Sequence, residues 1–324
     1  MTAVTGRPSS VLMGVFRNDR LPSLQFDHLH MCRVYGLRAS HPTHAACELL
    51  DAQNALIDQS REDGRGLSNP HGWGMASIGG DGASCFRQVD PASESEAYRR
   101  EGLKLKGTML LAHVRRATVG STSPENTHPF RHNGAFLIHN GHVPSFSEVR
   151  GLLLSTLSEE RVEAIQGATD SEHILALLLQ LRDENPEARL TDITREAINR
   201  LQEWCAMTDV SIQTEVSDQS FADLDHVADD ILHNTLALNL LWTDGETLAG
   251  SRFNRSLWFR ERSSPYLCPI CGSPHARTRD AAQYRVSVLA SERVTDEDWE
   301  PVPNGSVFTV SSDGVFHQEG LVFH

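Results

Sequence analysis

Short apolar runs alternate with amphipathic segments along the chain from position 31 onward. Five apolar runs have the length of buried strands: Met109–Val114, Ala135–Ile138, Leu236–Trp242, Val286–Ala290 and Ser306–Val310. Three of these runs meet dipeptides typical of hairpins and tight turns: Asn140-Gly141, Asp244-Gly245 and Asp313-Gly314. The pattern therefore predicts strands that are joined mainly in antiparallel fashion.

Three segments between the early and late strands have the spacing of helices. Two of them open with capping-box sequences, Ser145-x-x-Glu148 and Thr169-x-x-Glu172. The third presents one apolar face at three- to four-residue spacing, made of Ile193, Ala197, Ile198, Leu201, Trp204 and Cys205. Because strands come first, helices second and hairpins last, we expect an α+β layered domain rather than a doubly wound one.

Two segments lack such patterning. Residues 1–30 have no sustained period of 2 or 3.6, which predicts an N-terminal extension outside the core. Thr208–Ile231 carries seven acidic residues and no lysine or arginine, which is typical of a solvated insertion. We therefore expect one domain over residues 31–324, with an acidic insertion at about 208–231.

Composition narrows the class of protein. The 324 residues include 43 acidic and 29 basic side chains, a net charge of −14 that disfavours nucleic-acid and anionic-membrane partners. The longest apolar runs are six residues, far below the ~20 of a membrane span. Six cysteines are too sparse for a disulfide framework, so we expect a cytoplasmic protein with reduced thiols.

Several polar side chains make chemical sense together. Arg115 ends a strand, where a fixed cation can grip a carboxylate, and Asp170 at a helix start can accept from an ammonium group. Asn140 and Gly141 offer a side-chain amide and a backbone N–H, the equipment of an oxyanion hole. Cys32 is then the candidate nucleophile. Each residue alone has an ordinary structural explanation; their joint occurrence favours a site for an α-amino acid with a reacting side-chain carbonyl.

The segments around these residues resemble a known family, the class II glutamine amidotransferases of the N-terminal nucleophile hydrolase superfamily. The similar segments are Met31–Gly36, His71–Gly74, Ala112–Thr118, Asn126–Phe130, His139–Gly141 and Thr169–Glu172. A weaker similarity to small stand-alone members extends over Ala290–Phe308. The resemblance implies a four-layered αββα sandwich of two mainly antiparallel sheets between helical layers.

The resemblance also implies hydrolysis of the glutamine side-chain amide and a role for each site residue. Carried over by position, the roles are Cys32 as nucleophile, Asn140 with Gly141 as oxyanion hole, Arg115 and Thr118 as carboxylate ligands, and Asp170 as α-amine ligand. Ammonia would pass to a partner synthase. In the alternative, the substrate is a γ-glutamyl amide or peptide and the reaction is simple hydrolysis.

The position of Cys32 raises the question of its base. In the family the nucleophilic cysteine is the first residue, and its free α-amine, with a pKa of about 7.7–8.0, accepts the proton. Here 31 residues precede Cys32. Either this leader is removed, or, as we prefer, translation begins at Met31 and removal of that methionine exposes Cys32. A protein that kept the leader would instead fit the second alternative, a non-catalytic interaction module that zinc could stabilise.

A second motif, Cys268-Pro-Ile-Cys271-Gly, resembles a zinc knuckle. His275 is a candidate third ligand. A structural zinc site needs four ligands, and the sequence supplies no evident fourth. The alternative is a reduced dithiol in a hairpin loop, and we expect the reaction itself to require no cofactor.

Overall fold

The computed structural model describes residues 32–80, 82–117, 120–208, 234–264, 266–276 and 283–321. These ranges contain thirteen strands and seven α-helices. The strands are β1 Arg33–His44, β2 Trp73–Gly79, β3 Gly82–Gln88, β4 Lys106–Val114, β5 Phe130–His132, β6 Ala135–His142, β7 Ala237–Thr243, β8 Leu248–Arg252, β9 Trp258–Ser263, β10 Arg285–Ala290, β11 Glu300–Pro301, β12 Ser306–Val310 and β13 Phe316–Gly320. The helices are α1 Ala46–Leu50, α2 Leu56–Arg61, α3 Glu96–Lys104, α4 Phe146–Ser155, α5 Glu159–Ala164, α6 Asp170–Glu184 and α7 Leu190–Ala206.

The strands form two sheets. The first has seven strands in the order β11-β9-β10-β1-β4-β2-β3, and the second has six in the order β13-β12-β8-β7-β6-β5. Neighbouring strands pair antiparallel throughout the described registers. The predicted α+β class with antiparallel sheets is therefore confirmed, and all five predicted strands are present.

Three buried apolar clusters define four layers. One lies between the two sheets and joins side chains of both, among them Val34 and Leu111 of the first and Ile138 and Phe308 of the second. A second packs α1, α2 and α3 against the outer face of the first sheet. A third packs α4, α6 and α7 against the second sheet. Burying both faces of both sheets gives the αββα sandwich that the resemblance implies.

All three predicted helices are present, but one of the two predicted capping boxes does not form. The predicted apolar face of α7 is buried against the second sheet. Thr169 caps α6 by accepting from the Glu172 backbone N–H at 3.3 Å. The capping box predicted at Ser145 is wrong: this residue has φ 49° and makes no side-chain cap hydrogen bond. Its left-handed backbone directs the chain out of β6 into α4 in place of a cap.

The turn predicted at Asn140-Gly141 is also wrong, whereas Asp244-Gly245 does form the turn between β7 and β8. Asn140 and Gly141 lie inside β6, paired with the strand β7. A Cβ at position 141 would lie 2.0 Å from the carbonyl oxygen of Ala237. Glycine is therefore required here for close approach of two backbones, not for a reversal of the chain.

Some predictions fall outside the described residues. These are the extension at 1–30, Thr118, and all of the acidic insertion except Thr208. Among the described residues, no helix is both long and apolar enough to cross a bilayer.

Candidate active site

Cys32 lies immediately before β1, at the edge where β1 pairs with β4. Arg33 is opposite Val114 in this register, which brings Cys32 beside the residues that follow β4. The Cys32 thiol donates to the carbonyl oxygen of Arg116 at 3.4 Å, and the Arg116 backbone N–H lies 3.4 Å from the same sulfur. The nucleophile predicted from the sequence is thus held against the segment that carries Arg115.

The surroundings of Cys32 favour the neutral thiol. Burial raises its pKa above the ordinary value, and the carboxylate of Asp170 acts in the same direction. The Arg116 N–H and the positive charges of Arg115 and Arg33 oppose this rise only in part. A thiol that keeps its proton at neutral pH needs a base before it can attack a carbonyl carbon.

Arg33 fixes the backbone of the candidate nucleophile. Its guanidinium forms buried ion pairs with Asp63 and Glu292, each at 2.7 Å, and donates to the carbonyl oxygen of Cys32 at 3.0 Å. Paired in this way, the guanidinium has its charge compensated inside the protein. Apart from its adjacency to Cys32, Arg33 has no feature in the sequence that indicates this role.

Arg115 follows β4, and its backbone is hydrogen-bonded to the segment His71–Gly74. Its backbone N–H donates to the carbonyl oxygen of Gly72 at 2.7 Å, and its own carbonyl oxygen accepts from the N–H of His71 at 2.9 Å. The side chain is buried. Burial lowers its pKa, while the neighbouring Cys32 and Asp170 raise it. Arg115 therefore presents a fixed cation within electrostatic range of both groups.

Asn140 has a buried side-chain amide with no hydrogen-bond partner among the described residues. Both Oδ1 and Nδ2 lack one. Leaving a buried polar group unpaired costs about 1–3 kcal/mol, so such a group calls for an explanation. One explanation is that this amide donates to an oxygen of the ligand, which fits the predicted oxyanion hole.

His139 fixes the position of β6, the strand that carries Asn140, through two hydrogen bonds. Its Nε2 donates to the carbonyl oxygen of Ala237 at 2.9 Å, which leaves Nδ1 to accept from the Ser171 hydroxyl at 2.9 Å. The proton assignment follows from the carbonyl, which only accepts. His139 thus joins β6, β7 and the start of α6, a positioning role that the sequence analysis did not identify.

Asp170 is the first residue of α6, as predicted. Its Oδ2 accepts from the backbone N–H of Val143 at 2.8 Å, and Oδ1 accepts from that of Ser171 at 2.8 Å. Oδ1 also lies 3.2 Å from the Ser171 hydroxyl, so Oδ2 is the oxygen with a second lone-pair site that can accept from an ammonium group. The contact with Val143 holds the carboxylate just beyond the end of β6, the strand that carries Asn140 and Gly141. The same carboxylate lies within electrostatic range of Cys32 and Arg115.

Buried neutral histidines lie next to β6, the strand that carries Asn140. His113 donates from Nε2 to the carbonyl oxygen of His139 at 3.2 Å and stacks on His128 at 4.0 Å between ring centroids. Burial lowers the pKa of His113 to about 3 and also lowers those of His128 and His139. The unfolded chain binds protons at these rings below about pH 6.5, where the folded chain does not. Stability therefore falls as pH decreases from about 6.5 towards 3.

We expect His113→Gln to flatten this acid sensitivity. Glutamine keeps a donor for the His139 carbonyl but cannot be protonated, so the slope of unfolding free energy against pH should decrease by up to about 1.4 kcal/mol per pH unit. Urea unfolding at pH 7, 6 and 5 measures this slope, with the exposed His317→Gln as matched control. Parallel curves for wild type and His113→Gln would contradict the buried neutral assignment.

The zinc candidates lie elsewhere, beyond the far end of β1. Cys268, Cys271 and His275 come together as the knuckle motif predicts, and Cys47 of α1 joins them. Cys47 is thus a fourth candidate ligand that was not evident from the sequence, because it is more than 200 residues away from the other three and no local spacing marks it. This group takes no part in the candidate active site.

Comparison with known proteins agrees with the geometry. Residues 31–210, more than half of the chain, match the family model described as class-II glutamine amidotransferases. A protein of Saccharomyces cerevisiae described as a probable glutamine amidotransferase, DUG3, is 27% identical over 310 residues, covering 88% of this chain and 83% of the relative.

Two solved structures share the fold. A glutamine aminotransferase class-II domain protein from Silicibacter pomeroyi has a TM-score of 0.54 at 18% identity, over 90% of this chain and all of that one. The glutamine phosphoribosylpyrophosphate amidotransferase of B. subtilis has a TM-score of 0.54 at 16% identity, over 90% of this chain and 50% of that one. At these identities the structural likeness concerns the fold, and the family assignment rests on the match over residues 31–210: the chain belongs to the class II glutamine amidotransferases.

Proposed function

We propose that this protein is a cysteine-dependent amidohydrolase that releases ammonia from the side chain of glutamine through a thioester at Cys32. The observation that carries the proposal is that the Cys32 sulfur lies 3.4 Å from the backbone of the residue after Arg115, with the Asp170 carboxylate, fixed by the Val143 N–H, within electrostatic range of both. A thiol, a cation and a carboxylate within range of one another are what an α-amino acid with a reactive side chain requires.

The two charged groups define how the substrate binds. Arg115 takes the α-carboxylate through charge-assisted hydrogen bonds, and Asp170 takes the α-ammonium group. Thr118 is proposed as a further carboxylate ligand. With both ends of the amino-acid head fixed, the side chain extends towards Cys32, so that its carbonyl carbon meets the sulfur in a defined orientation.

The reaction then follows from the remaining groups. The Cys32 thiolate attacks the side-chain carbonyl carbon, and the oxyanion accepts hydrogen bonds from the Asn140 amide and the Gly141 N–H. The proton taken from the thiol is delivered to the leaving nitrogen, which departs as ammonia. Water then attacks the γ-glutamyl thioester, releasing glutamate and restoring the thiol.

The proton acceptor in this proposal is the free α-amine of Cys32. Because burial raises the thiol pKa, a base is required, and an amine with pKa of about 7.7–8.0 is suited to that role near neutral pH. In a chain that retains residues 1–31 the same nitrogen is a peptide amide and cannot accept the proton. Exposure of Cys32 is therefore part of the proposed function.

We expect Arg115→Ala chiefly to weaken substrate binding. Loss of a charge-assisted carboxylate contact costs about 2–4 kcal/mol, so KM should rise by roughly 30- to 700-fold with a smaller change in kcat. Steady-state kinetics with glutamine measures both constants. Arg115→Lys keeps the charge but not the planar fork of the guanidinium, so its KM should lie between those of wild type and Arg115→Ala.

The exposed Arg131→Ala is the matched control and should leave both constants within about twofold of wild type. An Arg115→Ala variant with unchanged KM would remove Arg115 from the binding of the carboxylate.

The function is tested by ammonia release from protein that begins at Cys32. Glutamine, glutamate γ-amides and γ-glutamyl dipeptides should be compared by kcat/KM, while asparagine, one methylene shorter, tests the reach from the head group to the sulfur. Turnover of glutamine or a γ-glutamyl compound supports the proposal. Failure of every γ-glutamyl compound would contradict it and would favour the non-catalytic module.

A further inference from the structure

Four metal-binding side chains meet on the outer face of the first sheet, far from Cys32. They are Cys47, Cys268, Cys271 and His275, and their ligand atoms all lie within 4.8 Å of one another. None of the cysteines forms a disulfide. Cys47 comes from α1, and the other three come from the segment between β9 and β10, so the group joins two parts of the chain that are distant in sequence.

The spacing of these atoms matches the coordination shell of one small ion. Zinc–sulfur and zinc–nitrogen bonds of ~2.3 and ~2.0 Å place neighbouring ligand atoms about 3.5–3.8 Å apart at the corners of a tetrahedron. The Cys271 sulfur lies 3.7 Å from Nε2 of His275. Three thiolates and one imidazole are also a ligand set typical of structural zinc sites.

The backbone around Cys268 has the form of a knuckle. Gly272, with φ 66°, donates its N–H to the carbonyl oxygen of Cys268 at 2.9 Å and closes the turn. The N–H of Ile270 points at the Cys268 sulfur at 3.4 Å. Amide hydrogen bonds of this kind orient a thiolate and offset its charge, and the positive φ explains the glycine after Cys271.

Glu48 supplies a second, independent observation. Its buried Oε1 pairs with Arg262 at 2.7 Å, but Oε2 has no hydrogen-bond partner among the described residues. That oxygen faces Nδ1 of His275 at 3.7 Å. An imidazole that binds a metal through Nε2 carries its proton on Nδ1 and commonly donates it to a carboxylate. The unpartnered oxygen of Glu48 is thus placed where a metal-bound histidine needs an acceptor.

We propose that Cys47, Cys268, Cys271 and His275 bind one zinc ion that fastens the segment between β9 and β10 to α1. All four coordination positions are filled by protein, which is the arrangement of a structural site and leaves no place for substrate. Cys32 precedes β1 and Cys47 follows it, so the ion lies at the opposite end of that strand from the chemistry. The proposal is independent of the amidohydrolase assignment.

Zinc content of the full chain, purified without chelator, tests the proposal. Elemental analysis should find one zinc per chain, and Cys47→Ser should lose nearly all of it. Cys47 is the decisive position because only the fold assigns it. Cys85→Ser, a half-buried cysteine outside the group, is the matched control and should keep its zinc. Full zinc content in Cys47→Ser would overturn the four-ligand site.

Two further measurements keep the test decisive if Cys47→Ser folds poorly. Cys271 is exposed, so Cys271→Ser is the mildest ligand change and should also lose zinc. Cobalt added to protein stripped of metal should give the thiolate charge-transfer and visible bands of a tetrahedral site. Removal of the metal from wild type by a chelator should lower its melting temperature. A zinc-free native protein that takes up no cobalt, or one with a Cys268–Cys271 disulfide, would overturn the proposal.

Discussion

Replacing Cys32 by alanine in protein that begins at this residue is expected to abolish ammonia release. Without the sulfur no thioester forms, and loss of a catalytic nucleophile costs at least about 10,000-fold in turnover. The proposed ligands of the carboxylate and the ammonium group, Arg115 and Asp170, are untouched, so glutamine should still bind. Turnover followed by ammonia release and glutamine binding followed by calorimetry separate these two effects.

Cys85→Ala is the matched control for this substitution. Cys85 is also half-buried, lies on β3 and directs its sulfur towards the carbonyl oxygen of Pro129 at 3.9 Å, away from the proposed chemistry. It should keep wild-type turnover. Appreciable activity in Cys32→Ala would show that another group attacks the substrate and would remove the thioester from the mechanism.

Asn140→Ala should reduce kcat by about 100- to 1,000-fold and change KM little. An oxyanion donor acts on charge that develops in the transition state, so its loss appears in turnover more than in binding. The same variant should be as stable as wild type or slightly more so, because the amide it removes is buried without a partner among the described residues. Kinetics and thermal unfolding of one preparation measure both.

The two readouts together distinguish a catalytic from a structural asparagine. Asn133→Gly serves as control, since Asn133 is exposed on the turn between β5 and β6 with φ 46°, a conformation that glycine adopts freely. It should leave kcat unchanged. A drop in melting temperature for Asn140→Ala with kcat within about threefold of wild type would assign Asn140 to folding and contradict the oxyanion proposal.

The layered fold was accessible from the sequence because it depends on apolar periodicity. Runs such as Met109–Val114 and Ser306–Val310 have the length and apolarity of strands buried on both faces, and α7 has a regular apolar face. The αββα arrangement itself came from the resemblance, since pattern alone does not say which sheet packs on which. The three clusters of buried side chains supply that information.

Local rules failed where tertiary contact decides the conformation. Asn140-Gly141 has the composition of a tight turn, yet the close approach of the Ala237 carbonyl, not a reversal of the chain, requires its glycine. Ser145 has the sequence of a cap, but its backbone is left-handed. In both cases the strand β6 and its neighbours impose a geometry that a window of a few residues does not contain.

The residues that sequence analysis missed act through long-range contacts. Arg33 pairs with Glu292 across 259 positions, and His139 bonds to Ala237 across 98. Cys47 lies still farther from its knuckle partners than His139 does from Ala237. Side chains that meet only after the sheets assemble have no periodic signature, so the supporting contacts of the site and the fourth proposed zinc ligand emerge only from the fold.

The central claim, that the free α-amine of Cys32 is the base, is tested most directly by labelling two proteins with a glutamine-analogue electrophile. One protein starts at Cys32, and the other is the full chain from Met1 with proteolysis blocked. Mass spectrometry should find one adduct, at Cys32, in the first protein and none in the second. Glutaminase activity should likewise be present in the first protein and absent from the second. Equal labelling and equal activity in the two proteins would show that a side chain accepts the proton and would contradict the mechanism.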